Sequence, residues 1–168
     1  MFTVNSFHRA FTLTELGDGI YVIVNIYLPC VGTENRLLVC ENILTAIACY
    51  LEQYDDYVHL ISGDFNCDLS ISDKVASCIN KFIDDYSLHR CDELFDKTAL
   101  MTYINPALNH NSHIDYMLIS CRERALHFDV LDLALHFSDH LPLSACFAYN
   151  VCDNGEPTQQ IAFETRLV

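Results

Sequence analysis

A layered α/β protein is the fold class this sequence predicts, and three observations predict it. The apolar pattern changes period along the chain, from strand-like runs to helical three- and four-residue steps and back again. Helical segments lie between the early strands, whereas the later strands follow one another across polar loops, as antiparallel neighbours do. Finally, 51% of the 168 residues are hydrophobic and the mean hydropathy is +0.17, enough for one domain with a large core.

The elements follow in order. Residues 10–15 and 20–28 alternate or run apolar on either side of Leu16-Gly17-Asp18-Gly19, a hairpin signal, and Pro29 stops the second strand. From Thr33 to Gln53 the residues Leu37, Cys40, Leu44, Ile47 and Leu51 recur at helical spacing. Thr33 is the expected N-cap there, with Glu34 favourable in the first turn. The segment YVHLISGDF (Tyr57–Phe65) reads as a short central strand. A second amphipathic helix is expected over 73–85, with Val75, Cys78, Ile79, Phe82 and Ile83 on one face. Strand-like pieces come next at 100–104, 114–119, 127–133 and 141–149. The domain is expected to occupy residues 1–150, and 151–168, with its polar CDNGEPTQQ stretch, reads as a linker or tail.

Composition narrows the function. Charged or polar residues interrupt every candidate bilayer span, and the N-terminus MFTVNSFHRA lacks the pattern of a secretory signal. A soluble intracellular protein, nuclear or cytoplasmic, is expected, with no membrane partner. The nine cysteines are scattered and form no CxxC pair, so buried reduced thiols are favoured over a disulfide framework or a zinc site. His110 and His113 stand three apart without a second matching pair and read as loop residues. A net charge of −14 argues against a broad basic surface, so a polyanionic substrate would need a few basic residues and a metal ion.

Three clusters share one arrangement, an apolar strand whose end presents polar groups. They are Asp64 and Asn66 after HLIS, Asp115 within SHIDYMLIS, and Asp139 with His140 in FSDHLPLSACF. Strand ends on one edge of a layered sheet open into a crevice, where sites are usually built. Carboxylates, an amide and a histidine gathered there suit hydrolysis assisted by a divalent metal. Taken singly, each cluster also reads as ordinary structure: a Gly-Asp-Asn turn, a strand end, or a loop rim at Ser138–Pro142.

In their joint order the motifs GDFN (Gly63–Asn66), HIDYMLIS (His113–Ser120) and SDHLPL (Ser138–Leu143) resemble the endonuclease/exonuclease/phosphatase superfamily. Upstream, VNIYLPC (Val24–Cys30) looks like that family's tyrosine–x–proline strand end. The resemblance runs from about residue 10 to about 149, and the wording is most similar to the apurinic-type endonuclease domain of non-LTR (LINE-type) retrotransposons. Sphingomyelinase-like members fit less well. The implied fold is a four-layer α/β sandwich, and the implied activity is metal-dependent DNA nicking with Mg²⁺ or Mn²⁺. A reverse transcriptase domain in the parent polypeptide is the implied partner.

The resemblance also implies roles. Asp64 would orient or deprotonate the attacking water and hold metal. Asn66 would bond to the phosphate or to that water. His140 would contact the scissile phosphate, Asp115 would hold His140, Tyr27 would reach a phosphate oxygen, and Asp139 would sit at the metal. Thr102 and Tyr103 would line the DNA-facing rim, or else form an ordinary strand pair. The family's earlier half, with a strand-end asparagine and the principal metal-binding glutamate, has no counterpart before Tyr27; Asn5 and Glu15 are badly placed for those parts. The chain therefore reads as N-terminally truncated, and a catalytically impaired remnant, acting as a binding module or without activity, stands as the alternative.

Overall fold

The computed structural model describes residues 3–8, 10–16, 20–131, 138–151 and 157–165. The chain starts with β1 (Thr3–His8), β2 (Phe11–Leu16) and β3 (Tyr21–Tyr27), then α1 (Arg36–Gln53), β4 (Val58–Asp64) and α2 (Lys74–Asp85). The short β5 (His89–Arg90) and α3 (Cys91–Leu94) lead to the hairpin of β6 (Tyr103–Asn105) and β7 (His110–Ser112). After β8 (Asp115–Ile119) and a 3₁₀ turn at Arg122–Arg124 come β9 (Ala125–Val130), β10 (Leu143–Val151) and β11 (Pro157–Thr165).

Six strands form one sheet in the order β1-β2-β3-β4-β8-β5, and three form a second in the order β11-β10-β9. The β3–β4 pair is parallel, which is what the crossover helix α1 requires, and β4–β8 is antiparallel. Side chains alternate across the larger sheet. Val22, Val24, Ile26, Ile61 and Leu118 pack beneath Ile43, Leu44 and Ile47 of α1 and Ile79, Phe82 and Ile83 of α2. Tyr21, Leu60, Met117 and Ile119 meet Phe128, Leu143, Ala145 and Phe147 of the second sheet. Helices, sheet and sheet are thus three successive layers of an α/β sandwich, with apolar cores on both faces of the central strands.

Several expectations shift. α1 begins two residues later than expected: Thr33 lies in a turn, its N–H on the Cys30 carbonyl, and Asn35 is the N-cap, in the left-handed region (φ 52°) and without a side-chain cap bond. Glu34 consequently precedes the helix. Asp73 caps α2, its carboxylate accepting from Val75 and Ala76 N–H at 2.5 and 2.9 Å. Residues 157–165 form a strand along β10, and β10 itself runs to Val151, so this segment is paired and is not a free tail. Ile161 and Phe163 did carry a period-2 signal, but the Gly155 and Pro157 before it read as a turn. Residues 3–8, to which no strand was assigned, pair with β2 at the sheet edge. The Gly17–Gly19 turn, residues 132–133 and Cys152 lie outside the described residues.

All eight described cysteines are free thiols: Cys40, Cys67 and Cys91 are buried as expected, while Cys30 and Cys49 are exposed. Among the described residues no helix is long and apolar enough to cross a membrane.

Candidate active site

Strand parity builds the site. Tyr27 lies beside Asp64 in the β3–β4 register, and Asp64 lies opposite Asp115 in the β4–β8 register. Successive steps of two residues along each strand, away from this end, lead to Tyr21 on β3, Leu60 on β4, and Met117 and Ile119 on β8, the residues of the inter-sheet core. The face that is apolar at one end of these strands therefore ends in two carboxylates and a phenol at the other.

The GDFN turn explains its own composition. Gly63 has φ 141°, and a Cβ there would stand 2.0 Å from the Ile26 carbonyl oxygen, so only glycine allows β4 to run this close to β3. Phe65 turns into the helix-side core and leaves Asp64 and Asn66 at the crevice. Asn66 adopts φ 50°, a conformation asparagine tolerates, and closes back on Asp64. Its backbone N–H donates to Asp64 Oδ1 at 2.7 Å and its amide donates to Asp64 Oδ2 at 2.9 Å and to the Leu28 carbonyl at 2.8 Å. Arg36, the first residue of α1, clasps the loops together: Nε donates to the Pro29 carbonyl at 2.9 Å and Nη2 to the Asn66 carbonyl at 2.6 Å.

His140 arrives from the loop before β10. Its N–H donates to Ser138 Oγ at 3.1 Å, and Nδ1 sits 3.0 and 2.9 Å from the two oxygens of Asp115. Carboxylate oxygens only accept, so in this pairing Nδ1–H is the donor to buried Asp115. Nε2 is left facing Asp64 Oδ2 at 4.0 Å. Thr102 makes this pair possible. Its Oγ1 accepts the N–H groups of both Ile114 and Asp115 at 3.0 Å, and its carbonyl accepts Leu141 N–H at 2.7 Å.

Electrostatics follow from this packing. Burial, and then the Asp115 carboxylate opposite, push Asp64 up to about 6. The hydrogen bond to Asp115 raises His140 above the ordinary histidine value against the opposing effect of burial. The crevice opens into a cavity of about 560 Å³ lined by Asn66, His140 and Tyr103, with Val31, Ile71 and Leu108 on its walls. Among the described residues Arg36 is the one Lys or Arg side chain lining it, against Asp68 and Asp73.

Asp64, Asp115 and His140 are brought together with potential ligand atoms within 4.8 Å of one another, a group that could hold a metal ion. Two carboxylates and an imidazole match the donor chemistry of a divalent cation, so the residues present fit such a group. Asn66 joins them through Asp64. Tyr27 stands at the neighbouring strand end, 56% exposed. Tyr103 packs edge-on against His140, with ring centroids 5.0 Å apart, and lines the cavity. One expectation changes. Thr102 is 0% exposed and supports Asp115 from within instead of lining a rim. Asp139 is exposed and lies outside the three-residue metal-capable group, its carbonyl held by Ile104 N–H. Arg36 was missed, because nothing in TENRLL separates a bridging arginine from an ordinary helix surface residue.

Neither the family models nor the curated proteins contain a match to this chain. Solved structures do match. A 3′ phosphatase, NExo, from Neisseria bound to a product DNA hairpin superposes with a TM-score of 0.65 at 17% identity, over 89% of this chain and 70% of that one. An AP endonuclease from Archaeoglobus fulgidus gives 0.64 at 15% identity, over 87% of this chain and 70% of that one. An endonuclease/exonuclease/phosphatase family protein from Bacteroides thetaiotaomicron gives 0.58 at 17% identity, over 79% and 52%. The fold of this chain is the α/β sandwich of the endonuclease/exonuclease/phosphatase proteins.

Proposed function

We propose that this chain is the phosphodiesterase part of a metal-dependent, DNA-nicking endonuclease of the non-LTR retrotransposon type. The observation that carries the proposal is the 4.0 Å separation of His140 Nε2 and Asp64 Oδ2, with Asp115 fixing the imidazole from behind. One oxygen atom placed between them is within hydrogen-bond reach of both. Asp64 accepts a proton from the attacking water. As the imidazolium, His140 donates Nε2–H to the phosphoryl oxygen on which charge develops, and Asp115 stabilises that charged ring from the Nδ1 side. Asn66 keeps Asp64 aimed and Tyr27, beside it, is placed to meet a flanking phosphate oxygen. Tyr103, aromatic and at the mouth, offers a stacking surface for a base.

Asp64 and Asp115 would hold a Mg²⁺ or Mn²⁺ ion, whose chemistry when bound is to polarise phosphoryl oxygens and lower the charge barrier to attack. The motif wording supports the retrotransposon assignment and a reverse transcriptase elsewhere in the parent polypeptide. A second reading, an impaired remnant, draws on the single arginine and two aspartates that line the cavity among the described residues, a poor electrostatic match to a polyanion.

Nicking of supercoiled plasmid in Mg²⁺, against EDTA and against Asp64→Ala and His140→Ala, tests the proposal. The expected result is metal-dependent nicking lost in both variants. Activity indifferent to both substitutions overturns the site, and a wild-type chain that does not nick favours the remnant.

A further inference from the structure

Tyr116 is buried beneath the site, on the helix-side face of β8, opposite to the face that carries Asp115. Substrate in the crevice cannot touch it. Its hydroxyl nevertheless joins the two motifs that meet there: it donates to the His113 carbonyl at 2.7 Å and accepts the Leu69 N–H at 2.9 Å. His113 stands two residues before Asp115, and Leu69 three residues after Asn66. The ring continues the connection. Phe65, the residue between Asp64 and Asn66, meets it edge-on at 5.4 Å, and His113 stacks on it at 4.6 Å with planes 9° apart. The Arg90 guanidinium lies 4.9 Å from its centroid, and Arg90 in turn pairs with buried Asp92. Burial pushes the Tyr116 hydroxyl well up, so it remains a donor.

We infer that Tyr116 is a positioning residue that sets the distance between Asp64 and His140. The GDFN turn and the His113–Asp115 segment lie side by side at the end of the β4–β8 ladder, where Phe65 N–H donates to the Ile114 carbonyl at 2.9 Å, and the gap between Asp64 and His140 depends on their relative placement beyond that last bond. A buried hydroxyl bonded to both backbones resists their sliding, and the ring wedged against Phe65 fixes the pitch of the turn. In the reaction, a displacement on the order of 1 Å at such a gap is worth up to about 100-fold in rate. The inference rests on the proposed hydrolase only for its rate; the geometric coupling stands apart from it.

The test uses Tyr116→Phe, which removes the hydroxyl and keeps the ring, with Tyr21→Phe as a matched control. Tyr21 is equally buried, and its hydroxyl bonds to the Ala148 carbonyl between the two sheets, far from the turn. Two readouts are taken beside the melting temperature. One is the far-downfield proton resonance of His140 Nδ1–H, assigned by its loss in His140→Gln. The other is the split of plasmid nicking into kcat and KM. Tyr116→Phe is expected to shift or broaden the resonance and to lower kcat at least tenfold, with KM changed less than about twofold. Tyr21→Phe is expected to lower the melting temperature comparably and leave both site readouts in place.

Equal effects of the two variants on the resonance, or none from Tyr116→Phe, overturn the inference. A shifted resonance in a wild-type background that does not nick upholds the positioning role and refutes the hydrolase reading. Should Tyr116→Phe not fold, Phe65→Leu removes the edge contact while keeping the hydroxyl, and an unchanged resonance in that variant also overturns the inference.

Discussion

Asp64→Asn should stabilise this protein while abolishing hydrolysis, and the size of the gain should depend on pH. Asp64 is 3% exposed and faces Asp115 directly across the strand pair, and these two causes lift it from 3.8 to about 6. A carboxyl whose folded value lies above its unfolded value contributes stability below the unfolded value, and that contribution is lost as pH rises through the folded value. Lifting Asp64 from 3.8 to about 6 corresponds to ~3 kcal/mol of destabilisation at about pH 8, and roughly half of that at about pH 5. The asparagine removes this penalty. Its own amide then competes with that of Asn66, now a donor facing a donor, at a cost of about 1 kcal/mol. The net gain at about pH 8 is ~2 kcal/mol, or roughly 4–8 °C in melting temperature for a chain of this size. Near pH 5 the gain falls to less than about 1 kcal/mol. Thermal unfolding of both proteins across that range measures it. A variant less stable than the wild type at pH 8, or a difference that does not change with pH, refutes the assignment of Asp64 as a charge held against its preference.

The proposed nicking should follow a bell in pH, rising through about 6 as Asp64 ionises and falling above the raised value of His140 as the imidazolium loses its proton, read as kcat/KM against pH; a profile without the falling limb refutes the role of His140. Thr102→Val leaves the Ile114 and Asp115 N–H groups without an acceptor and should cost about 2–4 kcal/mol in urea unfolding, whereas Thr102→Ser, which keeps the oxygen, should recover most of it. Gly63→Ala drives a Cβ to 2.0 Å from the Ile26 carbonyl oxygen, so the strands must part; a loss of at least about 3 kcal/mol, or failure to fold, is expected in circular dichroism. EDTA should abolish nicking without moving the melting temperature by more than a few degrees, because Asp64 and Asp115 are already held by Asn66 and His140.

The site was legible where a side chain's role depends on its own strand. GDFN could be read locally, because a glycine without a Cβ, an aromatic turned inward and two polar groups turned outward follow from one pleat and one tight turn. The two long helices, α1 and α2, were legible from their periodicity, apart from the start of α1, where a turn closed by backbone bonds took the place of the expected threonine cap. Thr102 was misjudged for a physical reason: its hydroxyl is used by two amides thirteen and twelve residues away, and no local pattern distinguishes such a hydroxyl from one facing a substrate. Asp139, adjacent to His140, is exposed and raises His140 by its charge. The strand at 157–165 was hidden because Gly155 and Pro157 outweigh its short period-2 signal locally, whereas pairing with β10 is a long-range contact.

By itself, then, the sequence determined the fold class, the order of the strands' polar ends and the identities of the groups that meet there, since these follow from periodicity, glycine placement and residue chemistry. Only the tertiary structure decided how far apart they stand. The 4.0 Å gap between Asp64 and His140, the clasp of Arg36 and the buried hydroxyl of Tyr116 all join segments distant in sequence. Distances of that kind are set by packing across layers, where each strand's position is determined by its neighbours' side chains as much as by its own.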